Sequence, residues 1–398
     1  MAKAELNAAK AGKNDEFYTQ YGDIQKEMNA YLEFDSDVFR DKTVLLPCDD
    51  PEWSNFTKYF AQNFEKLGLR KLISTSYAPD SKFANVLGQP TLFESLSPQF
   101  DTTKTHANGK IFTLHRDTTG DDRIDVNDLE WEYLDGDGDF RSDEICKLRN
   151  EADVVITNPP FSLFRVFLAW ILEAEKMFVI LGNVNAITYK EVFPHIEADR
   201  LWLGPTITSG DREFQVPSSY PLAAASSRVD DDGNKFIRVK GVRWFTNIDH
   251  GRRHEPLALM TMADNKKFSR HKEVKGVGYK KYDNYDAIEV PFTDAIPSDY
   301  TGVMGVPITF LDKYSPEQFE ILGATQRGCH DAVPDTKKYD TYWEVRQDGT
   351  KTGSSGGKTN ENANLLGNDG KKNYFTNMKG RVIQSAYQRI FIRHRKAS

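Results

Sequence analysis

Short runs of strongly apolar residues alternate with amphipathic stretches over the first two-thirds of the chain. This alternation is typical of a mainly parallel sheet with flanking helices, so the sequence predicts an α/β fold. The predicted strands are 43–47, 71–76, 111–114, 153–157, 177–182 and 200–204, and the predicted helices are 23–32, 54–67, 163–176 and 189–197.

The pattern changes at about residue 205, where short β-prone pieces are broken by Gly, Pro and Asp. We expect an α/β domain over 1–204 and an irregular, β-rich region over 205–327. Residues 328–376 are rich in Gly, Ser, Asn and Lys, which predicts a flexible loop or insertion. Apolar and basic residues mix in the closing segment, 377–398, which predicts a final strand or helix.

Composition indicates a soluble globular protein. The mean hydropathy is -0.60, and no apolar run approaches the length that crosses a bilayer. The first 16 residues lack the apolar core of a secretory signal, so we expect a cytoplasmic protein without a membrane partner. Cys48, Cys146 and Cys329 show neither metal-ligand spacing nor a disulfide framework, so we expect reduced thiols and no metal.

The net charge of -7 by itself argues against an acidic partner, but its distribution differs along the chain. Between Asn234 and Lys281 there are thirteen Lys or Arg residues and four acids. This excess predicts a surface that binds phosphates, with affinity that falls as salt rises. The alternative is an ordinary solvated surface.

One segment carries most of the chemical information: residues 153–161 read Asp-Val-Val-Ile-Thr-Asn-Pro-Pro-Phe. The apolar run predicts a strand buried on both faces, and two prolines end it at Asn158. Pro159 and Pro160 have no N–H, so the bend offers carbonyl acceptors together with the Asn158 amide oxygen. Phe161 adds a flat apolar face. The bend suits an exocyclic amine, whereas the alternative is a simple turn after a strand.

Asn158-Pro159-Pro160-Phe161 also resembles the catalytic tetrapeptide of amino-group DNA methyltransferases. The likeness continues in order along most of the chain, to about residue 322, and is specific to the EcoRI-type adenine-specific methyltransferases. The other segments that carry this resemblance are 14–21 (NDEFYTQY), 48–51 (CDDP), 54–56 (SNF), 136–142 (GDGDFRS), 161–165 (FSLFR), 187–193 (ITYKEVF), 281–288 (KYDNYDAI) and 302–311 (GVMGVPITFL).

The resemblance implies a Rossmann-like methyltransferase fold that uses S-adenosyl-L-methionine and methylates N6 of an adenine flipped out of duplex DNA. It assigns catalysis to 1–204, with an amino-terminal cofactor motif, and target recognition to 205–327. It also implies the modification enzyme of a type II restriction–modification system. We expect a monomer, with a restriction endonuclease acting on the same site without a stable complex. In this interpretation Asn158 and Pro159 accept from the amine, Pro160 stiffens the bend and Phe161 stacks on the base.

The resemblance further implies three groups of cofactor-binding residues besides Asn158. The first is an amino-terminal motif, which could instead be a hydrophobic staple and cap before a helix. The second is the turn after the first strand, which lacks a glycine-rich loop and whose Asp50 could instead cap a helix. The third lies in an Asp-rich loop, whose calcium-binding alternative fails because Phe140 stands where an EF-hand needs Gly. The residues are Phe17, Tyr18, Thr19; Cys48, Asp49, Asp50, Pro51; and Asp139, Phe140.

Four arginines are candidates for reading guanines or holding phosphates: Arg212, Arg238, Arg243 and Arg252. Other functions remain open at this point. They are methylation of cytosine N4, RNA or a protein glutamine amide, a DNA-binding protein that has lost catalysis, and a calcium-dependent binding module.

Overall fold

The computed structural model describes residues 17–48, 54–78, 97–216, 220, 222, 227–325, 336–355, 359–386 and 388–395. The chain divides into two compact units, one of Met1–Ala186 with Trp202–Gly251 and one of Ile187–Leu201 with Arg252–Ser398. This division differs from the predicted boundary at 204/205, because a strand from the 242–246 segment joins the large sheet of the first unit. The recognition role of 205–327 remains a prediction.

An eight-stranded sheet forms the centre of the first unit, in the order β4-β3-β2-β1-β5-β6-β11-β7. The four middle strands, β2, β1, β5 and β6, are parallel, and the strands on either side pair antiparallel. The eight strands are β1 (Thr43–Leu46), β2 (Lys71–Thr75), β3 (Lys110–Leu114), β4 (Glu130–Tyr133), β5 (Val154–Thr157), β6 (Met177–Asn183), β7 (Trp202–Leu203) and β11 (Val242–Thr246). The α/β prediction with a mostly parallel core is thereby confirmed.

The middle strands have the apolar character that is typical of a parallel sheet covered on both faces. Every residue of β1 and of β5 is buried, as expected for strands covered by helices on both sides. Each predicted strand of the first two-thirds of the chain is present, and its ends lie within two residues of the predicted ends.

Two helices of the first unit begin at a serine cap. Ser54 accepts hydrogen bonds from the Phe56 and Thr57 main-chain N–H groups, and Ser142 accepts one from Ile145. The predicted 54–67 helix is divided at Asn63 into two helices. The helices are α1 (Tyr21–Phe34), α2 (Asn55–Gln62), α3 (Phe64–Leu67), α4 (Asp143–Glu151) and α5 (Phe164–Glu173).

A second, three-stranded antiparallel sheet completes the first unit, in the order β8-β10-β9. Its strands are β8 (Asp211–Val216), β9 (Ser227–Val229) and β10 (Lys235–Lys240). Phe214 and Val216 of β8 belong to the same hydrophobic core as β1 and β5. The sheet is therefore packed on the hydrophobic core of this unit.

The described part of the second unit forms two α-helices and two sheets. Its helices are α6 (Phe193–Glu197), shorter than the predicted 189–197, and α7 (Met262–Phe268). One sheet has the order β12-β13-β20-β14, and the other is antiparallel with the order β16-β15-β18-β19-β17. The strands are β12 (Ala287–Glu289), β13 (Val303–Pro307), β14 (Phe319–Ala324), β15 (Tyr342–Arg346), β16 (Lys351–Ser355), β17 (Asn364–Leu366), β18 (Asn373–Asn377), β19 (Val382–Ser385) and β20 (Arg389–His394).

The prediction of a loop over 328–376 is wrong for the described part of that segment, since it supplies four strands of the five-stranded sheet. Polar composition suggested a loop, but Tyr339, Tyr342 and Ile383 form a small buried cluster that holds these strands together. The closing segment forms strands, one of the two predicted outcomes. Among the described residues, no helix combines the length and the apolar character that a membrane span needs.

Candidate active site at the carboxyl ends of the parallel strands

The carboxyl ends of β1, β2 and β5 lie side by side, because the three strands are neighbours and parallel. The Thr157 hydroxyl donates to the Pro47 carbonyl at 2.6 Å, which ties the end of β5 to the turn after β1. Open α/β sheets bind ligands at this edge. Asp49, Asp50 and Pro51, which follow β1, lie outside the described residues.

Asn158 stands directly after β5, and its side-chain amide has a single possible orientation. Its Nδ2 donates to the main-chain carbonyl of Phe17 at 2.6 Å, and a carbonyl only accepts, so the amide nitrogen must face Phe17. The opposite atom, Oδ1, is buried and has no hydrogen-bond partner among the described residues. A buried acceptor without a donor costs about 1–3 kcal/mol, so this oxygen is arranged for a donor that comes from outside.

The two prolines and Phe161 shape the rest of the bend. Pro159 is buried, and the Pro160 carbonyl accepts the Leu163 N–H at 2.8 Å, which begins the turn into α5. Phe161 is half-buried, and its ring lies edge-on to Phe17 with 5.7 Å between centroids. The tetrapeptide is therefore a corner whose Phe161 ring and Asn158 amide both contact Phe17.

The amino-terminal motif lies against this corner. Phe17 is 7% exposed, and its ring packs on Phe214 at 5.8 Å and on Tyr220 at 6.3 Å. Thr19 is also buried, and its carbonyl accepts from Asn55 Nδ2 at 2.8 Å. The structure thus brings the predicted motif together with Asn158 and Phe161.

Several buried polar atoms near this edge have no partner among the described residues. They are Thr19 Oγ1, Gln20 Nε2, Thr75 Oγ1 and Asn158 Oδ1. Thr75 ends β2 and Asn158 follows β5, so two of the four stand at the carboxyl ends of parallel strands. Such a group of unsatisfied atoms fits a polar ligand that brings both donors and acceptors.

Cys48 adopts the conformation that a glycine-rich turn would otherwise supply. Its φ is +72°, in the left-handed region where a side chain costs roughly 1–2 kcal/mol. Strain of this kind is concentrated at functional sites. The turn after β1 contains no glycine, but Cys48 has a backbone conformation that glycine usually adopts.

Replacing Cys48 with glycine should raise the free energy of unfolding by about 0.5–1 kcal/mol, because glycine adopts this φ without strain. Chemical denaturation measures the change. Cys146→Gly, within α4, is the control and should lower the free energy of unfolding by about 1 kcal/mol. A Cys48→Gly variant less stable than the parent would show that the thiol's contacts outweigh the backbone strain.

Asp139 and Phe140 lie in the loop after β4, which packs on the end of β2. Gly138 has φ +84°, and a Cβ there would lie 2.3 Å from the Ser76 carbonyl oxygen, so the loop requires glycine. Asp139 Oδ1 accepts from the Arg141 main-chain N–H and from Arg141 Nε, both at 2.9 Å. These bonds hold the pKa of the Asp139 carboxyl below its usual range, so it is ionised at neutral pH.

Phe140 is only 3% exposed, because its ring packs on two rings of α5, Phe167 at 5.0 Å and Trp170 at 5.6 Å. The Tyr77 hydroxyl donates to Asp139 Oδ2 at 3.3 Å, a contact that the sequence did not predict. Contact of Asp139 and Phe140 with the cofactor adenine remains a prediction. Among the described residues, no three acidic, His or Cys side chains form a group that could hold a metal ion.

The four candidate DNA-binding arginines have different surroundings. Arg238 on β10 is exposed, and its Nε lies 3.8 Å from Glu213. Arg212 on β8 is half-buried, and its Nε has no partner among the described residues. Arg252 belongs to the second unit and is half-buried.

Arg243 is 5% exposed and lies on β11 of the central sheet. Its guanidinium donates to the carbonyls of Val242 at 2.8 Å and Thr208 at 2.7 Å. A buried guanidinium that donates to main-chain carbonyls indicates a structural role for Arg243 and not contact with DNA.

Comparison with known proteins shows the family of the chain. The model of a family described as "Adenine-specific methyltransferase EcoRI" matches residues 5–395. The chain belongs to this EcoRI-type methyltransferase family. The family predicted from the sequence is thereby confirmed.

Relatives of this methyltransferase include "Type II methyltransferase M.EcoRI" of Escherichia coli, 43% identical over 317 residues, which are 80% of this chain and 88% of the relative. "Type II methyltransferase M.MpnI" of Mycoplasma pneumoniae is 34% identical over 339 residues, 85% of this chain and 90% of the relative. "Type II methyltransferase M.MgeORF184P" of Mycoplasma genitalium is 33% identical over 344 residues, 86% and 92% of the two chains. No solved structure matches significantly.

Proposed function

We propose that the protein transfers a methyl group from S-adenosyl-L-methionine to N6 of an adenine extruded from duplex DNA, as the modification enzyme of a type II restriction–modification system. The family and the names of the relatives support this proposal. The observation that carries it is Asn158, whose amide is oriented by Phe17 with a buried, unsatisfied Oδ1.

The residues of the corner supply the chemistry that an adenine amine needs. Its nitrogen lone pair is delocalised into the ring, so it is a weak nucleophile. Asn158 Oδ1 and the Pro159 carbonyl would accept hydrogen bonds from the two N–H groups of the amine. These bonds stabilise the positive charge that grows on N6 during transfer. One N6 proton then leaves to solvent. Phe161 would stack on the extruded base and offset part of the cost of unstacking, which is roughly a few kcal/mol.

The polar atoms at the carboxyl edge fit the expected cofactor, whose ammonium, carboxylate and ribose groups both donate and accept. When bound, it supplies a methyl group on a positively charged sulfur that is ready for displacement. Phe17, Tyr18, Thr19, the turn from Cys48 to Pro51, and Asp139 with Phe140 would hold it. The ionised Asp139 carboxylate is an acceptor suited to an adenine amino group.

The deciding experiment incubates the purified protein with duplex DNA of random sequence and labelled S-adenosyl-L-methionine, followed by nucleoside analysis. We expect N6-methyladenine at one short sequence. N4-methylcytosine, or label in RNA or protein alone, would contradict the proposal. DNA binding without any methyl transfer would favour a protein that has lost catalysis.

We further propose that the enzyme acts as a monomer and that a restriction endonuclease recognises the same sequence without forming a stable complex with it. Light scattering of the enzyme with and without DNA gives the mass of the active species. A dimeric mass at catalytic concentrations would contradict this part of the proposal.

Arg238 is the candidate DNA contact that is best exposed, and we propose that it holds a backbone phosphate. Arg238→Gln should weaken DNA binding. A plot of log affinity against log salt has a negative slope, and the variant should make it shallower by about 1. Fluorescence anisotropy at several salt concentrations measures both. Arg116→Gln is the matched control, since Arg116 is similarly exposed and is paired with Glu130. An unchanged slope would remove Arg238 from the DNA-binding surface.

A further inference from the structure

A contact with main chain, not with another side chain, determines how the Asn158 amide is turned. An unrestrained amide has two orientations of similar energy, related by a half-turn of its terminal torsion. One presents the oxygen to the substrate amine, and the other presents a nitrogen that would repel it. The bond of 2.6 Å from Nδ2 to the Phe17 carbonyl selects the first orientation.

We propose that Phe17 is a positioning residue for methyl transfer, whose carbonyl turns the Asn158 amide so that Oδ1 faces the substrate amine. The inference rests on the proposed function and assigns to Phe17 a role besides contact with the cofactor. It requires that the Phe17 carbonyl itself be held in place.

Three contacts hold it. The Phe17 ring lies between Phe161 at 5.7 Å and Phe214 at 5.8 Å. The next residue, Tyr18, pairs with Gln215 of β8 through two main-chain bonds, of 2.9 Å from Tyr18 N and 3.2 Å from Gln215 N. The position of the carbonyl is therefore determined by β8 as well as by the bend itself.

This arrangement links the three-stranded sheet with the catalytic corner. Arg212 and Arg238, two of the candidate DNA contacts, lie on strands of the sheet that pairs with Tyr18. A displacement of β8 would move the Phe17 carbonyl, and with it the Asn158 amide. The sheet thus supports the geometry of the acceptor in addition to any contact with DNA.

The first test is Asn158→Asp, because aspartate keeps the acceptor oxygen but loses the N–H that Phe17 accepts. As a carboxylate, the new side chain would place an oxygen against the Phe17 carbonyl, and we expect kcat to fall about 100-fold or more at pH 8. As a carboxylic acid, its O–H can donate to Phe17 while the other oxygen still accepts from the amine. Activity should therefore recover as pH falls.

The repulsion from the Phe17 carbonyl disfavours the charged form and raises the pKa of the introduced carboxyl. Above that pKa, the ratio of variant to parent kcat should rise about tenfold for each unit by which pH falls, since the protonated fraction does so. Phe17, Phe161, Leu163 and the Thr157–Pro47 pair contact this corner and have no side chain that titrates. Tyr220, which packs on Phe17, is present in both parent and variant, so the ratio of their kcat values reports the introduced carboxyl. A ratio that does not change with pH would overturn the inference.

The second test separates positioning from cofactor binding. Phe17→Leu should lower kcat about 10- to 100-fold, because a shift of about 1 Å in a positioned group costs this much. Because Phe17 is also proposed to contact the cofactor, kcat is measured with saturating S-adenosyl-L-methionine, and a separate titration gives the dissociation constant for the cofactor. Phe112→Leu is the matched control, since Phe112 is equally buried but packs on Trp131 of β4, and its kcat should not change.

Weaker cofactor binding by Phe17→Leu with an unchanged kcat would overturn the positioning role and leave a cofactor contact only. The proposed function is tested separately by the parent enzyme. If the parent forms no N6-methyladenine, the proposed function fails. If the parent is active but the Asn158→Asp profile is flat, the inference alone fails.

Discussion

Replacing Asn158 with alanine should abolish methylation, with kcat lower by at least about 10²–10³-fold, because the variant loses the acceptor that stabilises charge on the amine. Affinity for DNA should remain within about twofold of the parent value, since Oδ1 is buried in the corner. Single-turnover methylation with labelled cofactor and DNA anisotropy measure the two quantities. The variant also leaves the Phe17 carbonyl without its donor, which costs about 1 kcal/mol of stability.

Asn63→Ala is the matched control for this experiment. The Asn63 amide likewise donates to a main-chain carbonyl, that of Tyr59 at 2.8 Å, but it lies at the end of α2. We expect a similar small loss of stability and unchanged methylation. Equal loss of methylation, DNA affinity and fold in Asn158→Ala would make Asn158 a folding residue and would contradict its catalytic role.

Replacing Arg389 with alanine should destabilise the second unit by about 3–5 kcal/mol. Arg389 on β20 donates to both Glu289 oxygens, through Nε at 3.0 Å and 3.2 Å and through a terminal nitrogen at 2.5 Å. Tyr282 also donates to Glu289, whose side chain is 11% exposed. Without Arg389, the Glu289 carboxylate is buried and has lost its counter-charge. Hydrogen exchange of peptides from β12 and β13, measured by mass spectrometry, should become faster and so report the loss of stability.

Arg393→Ala on the same strand is the control. Arg393 pairs with Glu320 at 2.8 Å, but both side chains are more than 40% exposed. Exposed ion pairs contribute about 0–1 kcal/mol to the free energy of unfolding. Hydrogen exchange in the second unit should therefore change little. Similar losses in the two variants would show that burial does not distinguish the pairs.

The sequence by itself determined the features that depend on near neighbours. The apolar runs at 43–46 and 154–157 can only be buried strands, and the two prolines after Asn158 end the second of them wherever the chain folds. The serine caps at Ser54 and Ser142 likewise act on amides within three residues. The family was predicted from short motifs in a fixed order along the chain, and the family model confirms it.

The sequence misjudged segments whose structure depends on remote partners. Residues 336–355 and 359–377 have the polar composition of a loop, but pairing among β15 to β19 turns them into a sheet. Arg243 belongs to a basic stretch, yet pairing of β11 with β6 places it inside the first unit. Composition describes a segment by itself, whereas burial depends on what packs against it.

The tertiary structure alone decided how the corner is built. Asn158 was identified from its sequence neighbours, but its orientation comes from the carbonyl of Phe17, which is distant in the chain and is itself held by β8. No local pattern specifies such a contact, because periodicity and backbone preference act over a few residues. The sequence thus determined which side chain stands at the end of β5, and long-range packing decided which of its atoms faces a substrate.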